Sequence, residues 1–332
     1  MKIEENKSLK NYNTFGIDVL AKRFVNISQT TELKEILKNE KDLFILGGGS
    51  NMLLTKDIDK LVVHVNLKGK SIENEDNDHA YISAMAGENW HEFVMYCISK
   101  NYGGIENLSL IPGNIGTSPI QNIGAYGVEL KDVFHSLEAL EINTGKLHSF
   151  SAEDCKFGYR DSIFKNELKQ QFIIVKVTFK LTKHSHRFNI SYGAIKEHLN
   201  TNNPTIQDIS NAVVKIRSNK LPDPKLIGNS GSFFKNAIVS KTHFEALKEK
   251  YPEIPNYPIS ETLVKIPSGW LIDQLGFKGK RFGACGVYEK QALVLVNYGG
   301  ASGKDLLDLS LKIKSEVKNH FKIDLETEVN VI

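Results

Sequence analysis

Residues 111–127 read Ile-Pro-Gly-Asn-Ile-Gly-Thr-Ser-Pro-Ile-Gln-Asn-Ile-Gly-Ala-Tyr-Gly, with too little bulk for a core element and too much pattern for a linker. Gly113, Gly116, Gly124 and Gly127 remove side chains and permit positive φ, so backbone N–H groups can approach a phosphate or a ring edge. Pro112 and Pro119 set the bends between them. The fold must therefore hold a long shaped loop, either against a ligand or as a surface segment punctuated by turns. A second glycine cluster, Gly47-Gly48-Gly49-Ser50-Asn51, follows a short apolar strand expected over 43–46. It begins like a Rossmann fingerprint, but Met52 stands at the sixth position and no capped helix follows. Gly303-Lys304 resembles the end of a P-loop, yet Tyr298 replaces its first glycine and Asp305 the Ser or Thr that holds magnesium. Two glycine-rich cradles matching neither motif point to a long diphosphate-containing ligand held by loops, and a flavin dinucleotide has that size.

The rest of the pattern mixes helices with strands. A helix is predicted over 31–39, strands over 61–65 and 81–86, and a helix over 88–100, where Phe93, Val94, Cys97 and Ile98 recur at helical spacing. Segments 133–142 and 146–150 flank Asn143-Thr144-Gly145 and read as a hairpin, and 172–181 is a β-branched strand. A helix over 206–217 ends before Pro222 and Pro224, where a domain boundary is expected. Beyond it come a helix over 241–248, a short helix near 270–274, a strand over 292–296 and an amphipathic helix over 304–321. Ser302 is the expected N-cap of that last helix, with Asp305 at the capping-box position. The strand-like tail 325–332 is too short to stand alone and is expected to pair with an earlier domain.

Composition removes several functions. With 332 residues, 41% of them hydrophobic, the chain can build two or three domains. Its 42 basic and 39 acidic residues leave a net charge of +3 without a long run of one sign, so neither nucleic acid nor an anionic membrane is implied. Cys97, Cys155 and Cys285 are odd in number and lack C-x-x-C spacing, which argues against a disulfide framework or structural zinc and fits a reducing cytosol. The first residues carry no apolar signal region and no apolar run could span a bilayer. The histidines are scattered, His184 and His186 lie in a polar alternation, and no metal is predicted. Arginine is scarce, limited to Arg23, Arg160, Arg187, Arg217 and Arg281, so each one invites a reason that lysine would not satisfy.

Leu46-Gly47-Gly48-Gly49-Ser50-Asn51, the whole of 111–130, Tyr159-Arg160-Asp161-Ser162, Lys220-Leu221-Pro222-Asp223-Pro224, Gly231-Ser232-Phe233-Phe234-Lys235-Asn236 and Leu325-Glu326-Thr327-Glu328-Val329 together resemble the UDP-N-acetylenolpyruvoylglucosamine reductases. The resemblance runs in order along essentially the full chain. It implies a cytosolic, monomeric flavoenzyme of peptidoglycan precursor synthesis. In such an enzyme NADPH reduces FAD, and UDP-N-acetylglucosamine enolpyruvate then takes hydride from flavin N5. The fold implied is α+β: a two-part FAD-binding region of the vanillyl-alcohol oxidase/PCMH type plus a C-terminal α+β substrate-binding domain. Residues 1–66, joined by 323–332, and 67–219, carrying a tyrosine loop at 186–203, would form the first; 220–322 would form the second. Fold relatives often place a histidine in the glycine turn for covalent flavin, whereas Ser50 and Asn51 stand here, so non-covalent FAD is implied.

Hydride addition to an enolpyruvyl double bond leaves negative charge on the carbon bearing the carboxylate, and that charge must be stabilised and protonated. The resemblance assigns Arg160 and Glu328 to the substrate carboxylate and Ser232 to proton donation; by residue type alone Ser230 competes with Ser232, and Glu326 with Glu328. An arginine fork strengthens its hold as an enolate develops, and a positioned hydroxyl can protonate so basic a carbon. Flavin contacts are implied at Gly47, Gly48, Gly49, Ser50, Asn51, Ile111, Gly116, Ser118, Ile120, Gly124, Ala125 and Arg217. Substrate contacts are implied at Tyr126, Arg160, Tyr192, Lys220, Asn236, Tyr257 and Gln291, with Tyr192 on a lid that closes over the diphosphate. Asn330 and Ala237 depart from the family pattern, where arginine and proline are common. The rivals are an alcohol or sugar-lactone oxidase of the same fold and a nucleotide-sugar binding protein without turnover.

Overall fold

The strand predicted from the β-branched run is the middle of a five-stranded sheet in the structure, a computed structural model that describes residues 1–191, 194–199 and 201–332. The order across this antiparallel sheet is Leu147–Ser151, Phe134–Glu141, Phe172–Thr182, His79–Met85 and Lys70–Glu75. Ile173 and Val175 join one apolar cluster, whereas Ile174, Val177, Phe179 and Leu181 join another. The alternation breaks beside the register shift between Glu138 and Ala139, as a bulge turns side chains to the opposite face. The second cluster is covered by helix α2 (Trp90–Ser99) through Trp90, Phe93, Val94 and Cys97.

A second sheet, ordered Glu4–Ser8, Leu20–Ile27, Ile58–Val65 and Leu43–Leu46, pairs its last three strands in parallel. Helix α1 (Thr30–Asn39) packs Leu33, Ile36 and Leu37 against it. Three strands of these two sheets escaped the hydrophobic pattern, the first being Glu4–Ser8, which has no apolar residue. Lys22 and Arg23 interrupt the strand Leu20–Ile27, and Lys70–Glu75 has one apolar residue, forming at an exposed edge because it pairs with His79–Met85.

By its contacts the chain forms two units, residues 1–7, 21–48 and 58–217, and residues 8–20, 49–57 and 218–332. The expected flavin-binding parts 1–66 and 67–219 share one core. Val25, Ile27, Leu33 and Val63 share one cluster with Leu140, Ile142, Ile173 and Val175. The C-terminal boundary falls two residues before the expected one, inside helix α3 (Ile206–Lys220), which stops as the chain nears Pro222.

The second unit holds a four-stranded antiparallel sheet, Gly228–Ser232, Val294–Asn297, Cys285–Val287 and Arg281–Phe282, and a three-stranded one, Ala237–Ser240, Leu263–Ile266 and Tyr257–Pro258. Three helices accompany them, α4 (Lys241–Lys250), α5 (Ser268–Gln274) and α6 (Gly303–Phe321). Ser302 caps α6 with Asp305 completing the capping box, as its spacing predicts. Only Asn330–Val331 of the tail is a strand, in parallel with Met52–Leu53. Among the described residues no helix is long and apolar enough to cross a membrane.

Candidate active site

In the first unit the two glycine clusters lie against each other. A Cβ on Gly47 would stand 2.5 Å from Thr117 Cγ2, and one on Gly48 2.9 Å from Gly113 Cα and Asn114 Oδ1. Glycine is therefore required at Gly48 by the approach of one backbone to another, a reason independent of any ligand. The N–H groups of Gly47 and Gly48 have no hydrogen-bond partner among the described residues. Adjacent donors of this kind can receive a phosphate oxygen. Facing them, residues 113–116 are held by bonds from Trp90 N–H to Gly113 O, from Ile115 N–H to Glu88 O and from Gly116 N–H to Ala86 O. Ser118 is buried and donates to Ile115 O, whereas Ile120 is exposed and its carbonyl accepts from Ser162 Oγ. Ile111 and Ala125 rest on the core beneath α2.

Gly124–Ala125 and Val128–Glu129 form a hairpin whose turn is Tyr126-Gly127. Gly124 O accepts from Arg160 Nη2 at 2.5 Å. Arg160 holds φ at +55° in the tight turn closed by Gly158 and Asp161. A non-glycine residue in that region is strained, and such strain gathers at functional positions. Arg217 Nε donates to Leu110 O, and Leu110, itself at φ +60°, donates its N–H to His91 Nδ1. Burial lowers the Arg217 pKa, Tyr126 opposes that shift and Arg160 adds to it. Burial likewise pushes His91 below the ordinary imidazole range, helped by Arg217. Within 186–203, Ile195 is fully buried against Ile209, Ala212, Val213 and Ile216 of α3, so the stretch is more than a surface loop. Tyr192 lies outside the described residues.

In the second unit Ser230 and Ser232 have different surroundings. Strand parity would put both on one face, but the register shifts between Asn229 and Ser232, and Gly231 turns at φ +68°. Ser230 is buried with its hydroxyl 3.3 Å from Thr14 Oγ1 and 3.4 Å from Met52 O. Ser232 is half-buried and its hydroxyl makes no hydrogen bond among the described residues. Alongside, residues 326–328 run antiparallel to 233–235: Lys235 N–H donates to Glu326 O, Phe234 bridges Thr327, and Glu328 N–H donates to Phe233 O. The exposed Glu326 carboxylate pairs with Lys235, and half-buried Glu328, whose N–H bonds Phe233 O, lies beside the Ser232 strand.

The remaining candidates are spread around these strands. Asn236 Oδ1 accepts from Ser268 N–H, and Gln291 Oε1 lies 3.1 Å from where a Gly269 Cβ would be, so both converge on the start of α5. Tyr257 is 49% exposed beneath Lys265, and Lys220 is exposed at the end of α3. Gly49 holds φ at +60°, where a Cβ would fall 2.0 Å from Tyr12 O. Ser50 and Asn51 are half-buried. Asn51 Nδ2 donates to Glu328 O, while Asn330 donates to Asn51 O through both its backbone N–H and its side-chain amide. Asn330, a departure from the family pattern, thus ties the tail to the glycine turn.

Sequence reasoning missed Thr14, which accepts from Asn229 N–H and donates its own N–H to Gly49 O. It missed the buried amides of Asn107, Asn122, Asn229 and Asn297 as well. Asparagine is so common at surfaces that no spacing rule marks one that satisfies a loop from inside. Among the described residues no group of three His, Cys, Asp or Glu side chains could hold a metal.

Residues 223–332 match the family described as "UDP-N-acetylenolpyruvoylglucosamine reductase, C-terminal domain", and residues 21–151 match "FAD binding domain". The chain is 57% identical to the UDP-N-acetylenolpyruvoylglucosamine reductase of Flavobacterium johnsoniae, covering 100% of both proteins. It is 49% identical to that of Amoebophilus asiaticus, again covering 100% of both. Among solved structures, the reductase of Thermus caldophilus superposes with a TM-score of 0.71 at 22% identity, covering 100% of this chain and 99% of that one. A solvent-stable cholesterol oxidase superposes with a TM-score of 0.51 at 13% identity, covering 98% and 86%. These likenesses agree with the α+β architecture expected, an FAD-binding region followed by a second α+β domain.

Proposed function

The chain belongs to the UDP-N-acetylenolpyruvoylglucosamine reductase family, and on that premise we propose that it reduces the enolpyruvyl group of UDP-N-acetylglucosamine enolpyruvate to UDP-N-acetylmuramate, with NADPH as the reductant. The observation that carries the mechanism is the pairing of 326–328 with 233–235, which sets Glu328 beside the Ser232 strand while Ser230 and Glu326 are engaged elsewhere.

FAD fits the glycine clusters, whose Gly47 and Gly48 N–H groups are available to its diphosphate, with Gly49, Ser50, Asn51, Ile111, Gly116, Ser118, Ile120, Gly124, Ala125 and Arg217 as further contacts. When bound, FAD supplies the hydride for the enolpyruvyl carbon. Ser50 and Asn51 offer no imidazole for a covalent link, so it is held non-covalently. The guanidinium of Arg160 holds the substrate carboxylate and stabilises the enolate-like charge that grows next to it. Ser232 holds its proton on Oγ and delivers it to the carbon bearing that carboxylate, and Glu328 orients the same end of the substrate. Tyr126, Tyr192, Lys220, Asn236, Tyr257 and Gln291 bind the sugar nucleotide. The residues 1–66 with 323–332, 67–219 and 220–322 serve as two flavin-binding parts and a substrate-binding part. Residence in the cytosol, which three buried, unbridged cysteines favour, and a monomeric state complete the reading.

The test is the visible absorbance of purified protein during anaerobic addition of NADPH, then of the enolpyruvyl sugar nucleotide. Bleaching by NADPH and recovery with the sugar nucleotide alone is the expected result. Recovery with oxygen alone would point to an oxidase, and a colourless protein that cannot take up FAD to a binding module. Ser232→Ala is expected to leave flavin reduction near normal while slowing reoxidation by substrate roughly a hundredfold or more; equal losses in both half-reactions would remove the proton-donor role.

A further inference from the structure

The turn of the Gly124–Ala125/Val128–Glu129 hairpin has two residues, Tyr126 at φ +50° and Gly127 at φ +80°. Positive φ at both positions is the type I′ arrangement, which ordinarily favours Asn-Gly because asparagine and glycine tolerate the left-handed region. A tyrosine in the first position is strained by its own Cβ, so something outside the turn must hold it there.

Two asparagines do so. Asn107 Nδ2 donates to Tyr126 O at 3.0 Å and to Asn189 O at 2.7 Å, and Asn189 Nδ2 donates to Gly127 O at 2.8 Å. Both carbonyls of the turn are thus captured, and Asn107 links its two captors into one closed set. The orientation of Asn107 follows from chemistry, since the flipped amide would set its oxygen against two carbonyls. Asn107 is 1% exposed, and among the described residues its Oδ1 has no partner. Keeping a buried acceptor unpaired is unfavourable, so this position retains asparagine for its two donors. Fit adds to the bonding: a Cβ on Gly127 would lie 2.7 Å from Asn189 Nδ2. The Tyr126 ring packs against the cluster formed by Ile195 and the α3 residues Ile209, Ala212, Val213 and Ile216.

We propose that Asn107 and Asn189 are positioning residues that clamp the strained Tyr126 turn, presetting this tyrosine for the sugar nucleotide so that binding does not have to order it. The proposal rests on the substrate reading above. Presetting acts on binding of the substrate, not on flavin reduction.

Asn189→Ala removes one arm of the clamp at a half-buried position while leaving the backbone carbonyl that Asn107 uses. It is expected to raise KM for the enolpyruvyl sugar nucleotide about tenfold, with kcat and the rate of flavin reduction by NADPH within about twofold of wild type. Asn107→Asp, which turns a carboxylate toward two carbonyls, is expected to exceed that effect. Tyr126→Gly relieves the strain and removes the ring; on this background Asn189→Ala is expected to change KM no further. Amide hydrogen exchange is expected to speed up over residues 125–128 in both asparagine variants. An unchanged KM in Asn189→Ala, or the same fold-rise with and without Tyr126, would overturn the proposal. If wild type fails to consume the sugar nucleotide, the substrate reading falls instead; unchanged exchange over 125–128 would then overturn the clamp by itself.

Discussion

At the residue scale, Leu110, Tyr126 and Arg160 of the candidate site are among ten described non-glycine residues that hold positive φ. Glycines are informative only where something fills the space a Cβ would take. Gly49 and Gly145 share a left-handed conformation, φ +60° and +68°, but a Cβ on Gly49 would meet Tyr12 O at 2.0 Å and one on Gly145 would meet nothing within 4 Å. Gly145→Ala is therefore expected to cost about 1 kcal/mol from backbone strain alone, and Gly49→Ala at least about 3 kcal/mol from the added collision, both measured by urea unfolding. Equal costs would show that Tyr12 yields easily. Such distinctions were hidden in the sequence. Ser230 and Ser232 look equivalent at a spacing of two, and only the register shift after Asn229 separates them.

At the element scale, legibility followed burial. The strand Phe172–Thr182 and helices α1, α2 and α6 carry apolar residues at their own periods, and their positions were apparent from the pattern. The strand Lys70–Glu75 is almost wholly exposed, so it has no pattern to read. Capping chemistry was equally local. Ser302 accepts from Asp305 N–H, and the Asp305 carboxylate accepts from Ser302 N–H, so Ser302→Ala is expected to lower stability by about 1 kcal/mol without changing flavin content. An unchanged melting temperature would mean that α6 is held mainly by its buried face. Elements also shelter the thiols: Cys97 and Cys155 are fully buried, and burial, with Asp154 assisting, pushes Cys155 up to about 12. A thiol reagent is expected to react with Cys97 and Cys155 slowly in native protein and rapidly in denaturant.

For the whole molecule, stability should weaken on mild acidification. His91 Nδ1 accepts from Leu110 N–H, so its proton sits on Nε2 and a second proton would break that bond. Burial lowers His91, His64 and His186, with Arg217, Lys68 and His184 respectively adding to the shift. The unfolded chain thus binds protons first. The stability these groups contribute is present above their unfolded value of about 6.5 and is lost as pH falls through their lowered native values. Buried Glu106, whose carboxyl is raised, contributes with the opposite sign, its share present at low pH and lost as pH rises through its native value. The urea midpoint is expected to fall between about pH 7.5 and 5.5, and His91→Asn to flatten that slope; an unaltered slope would exclude His91 as a contributor. What the sequence determined by itself was everything written in neighbouring residues: the α+β pattern, the caps, the end of α3 before Pro222 and the family motifs that carry the candidate chemistry. Tertiary structure alone decided which serine keeps an uncommitted hydroxyl, which glutamate lies beside the Ser232 strand, why Gly48 must lack a side chain, and which buried amides hold Tyr126. Those outcomes depend on register and on contacts between segments distant in the chain, and no local period or spacing encodes them.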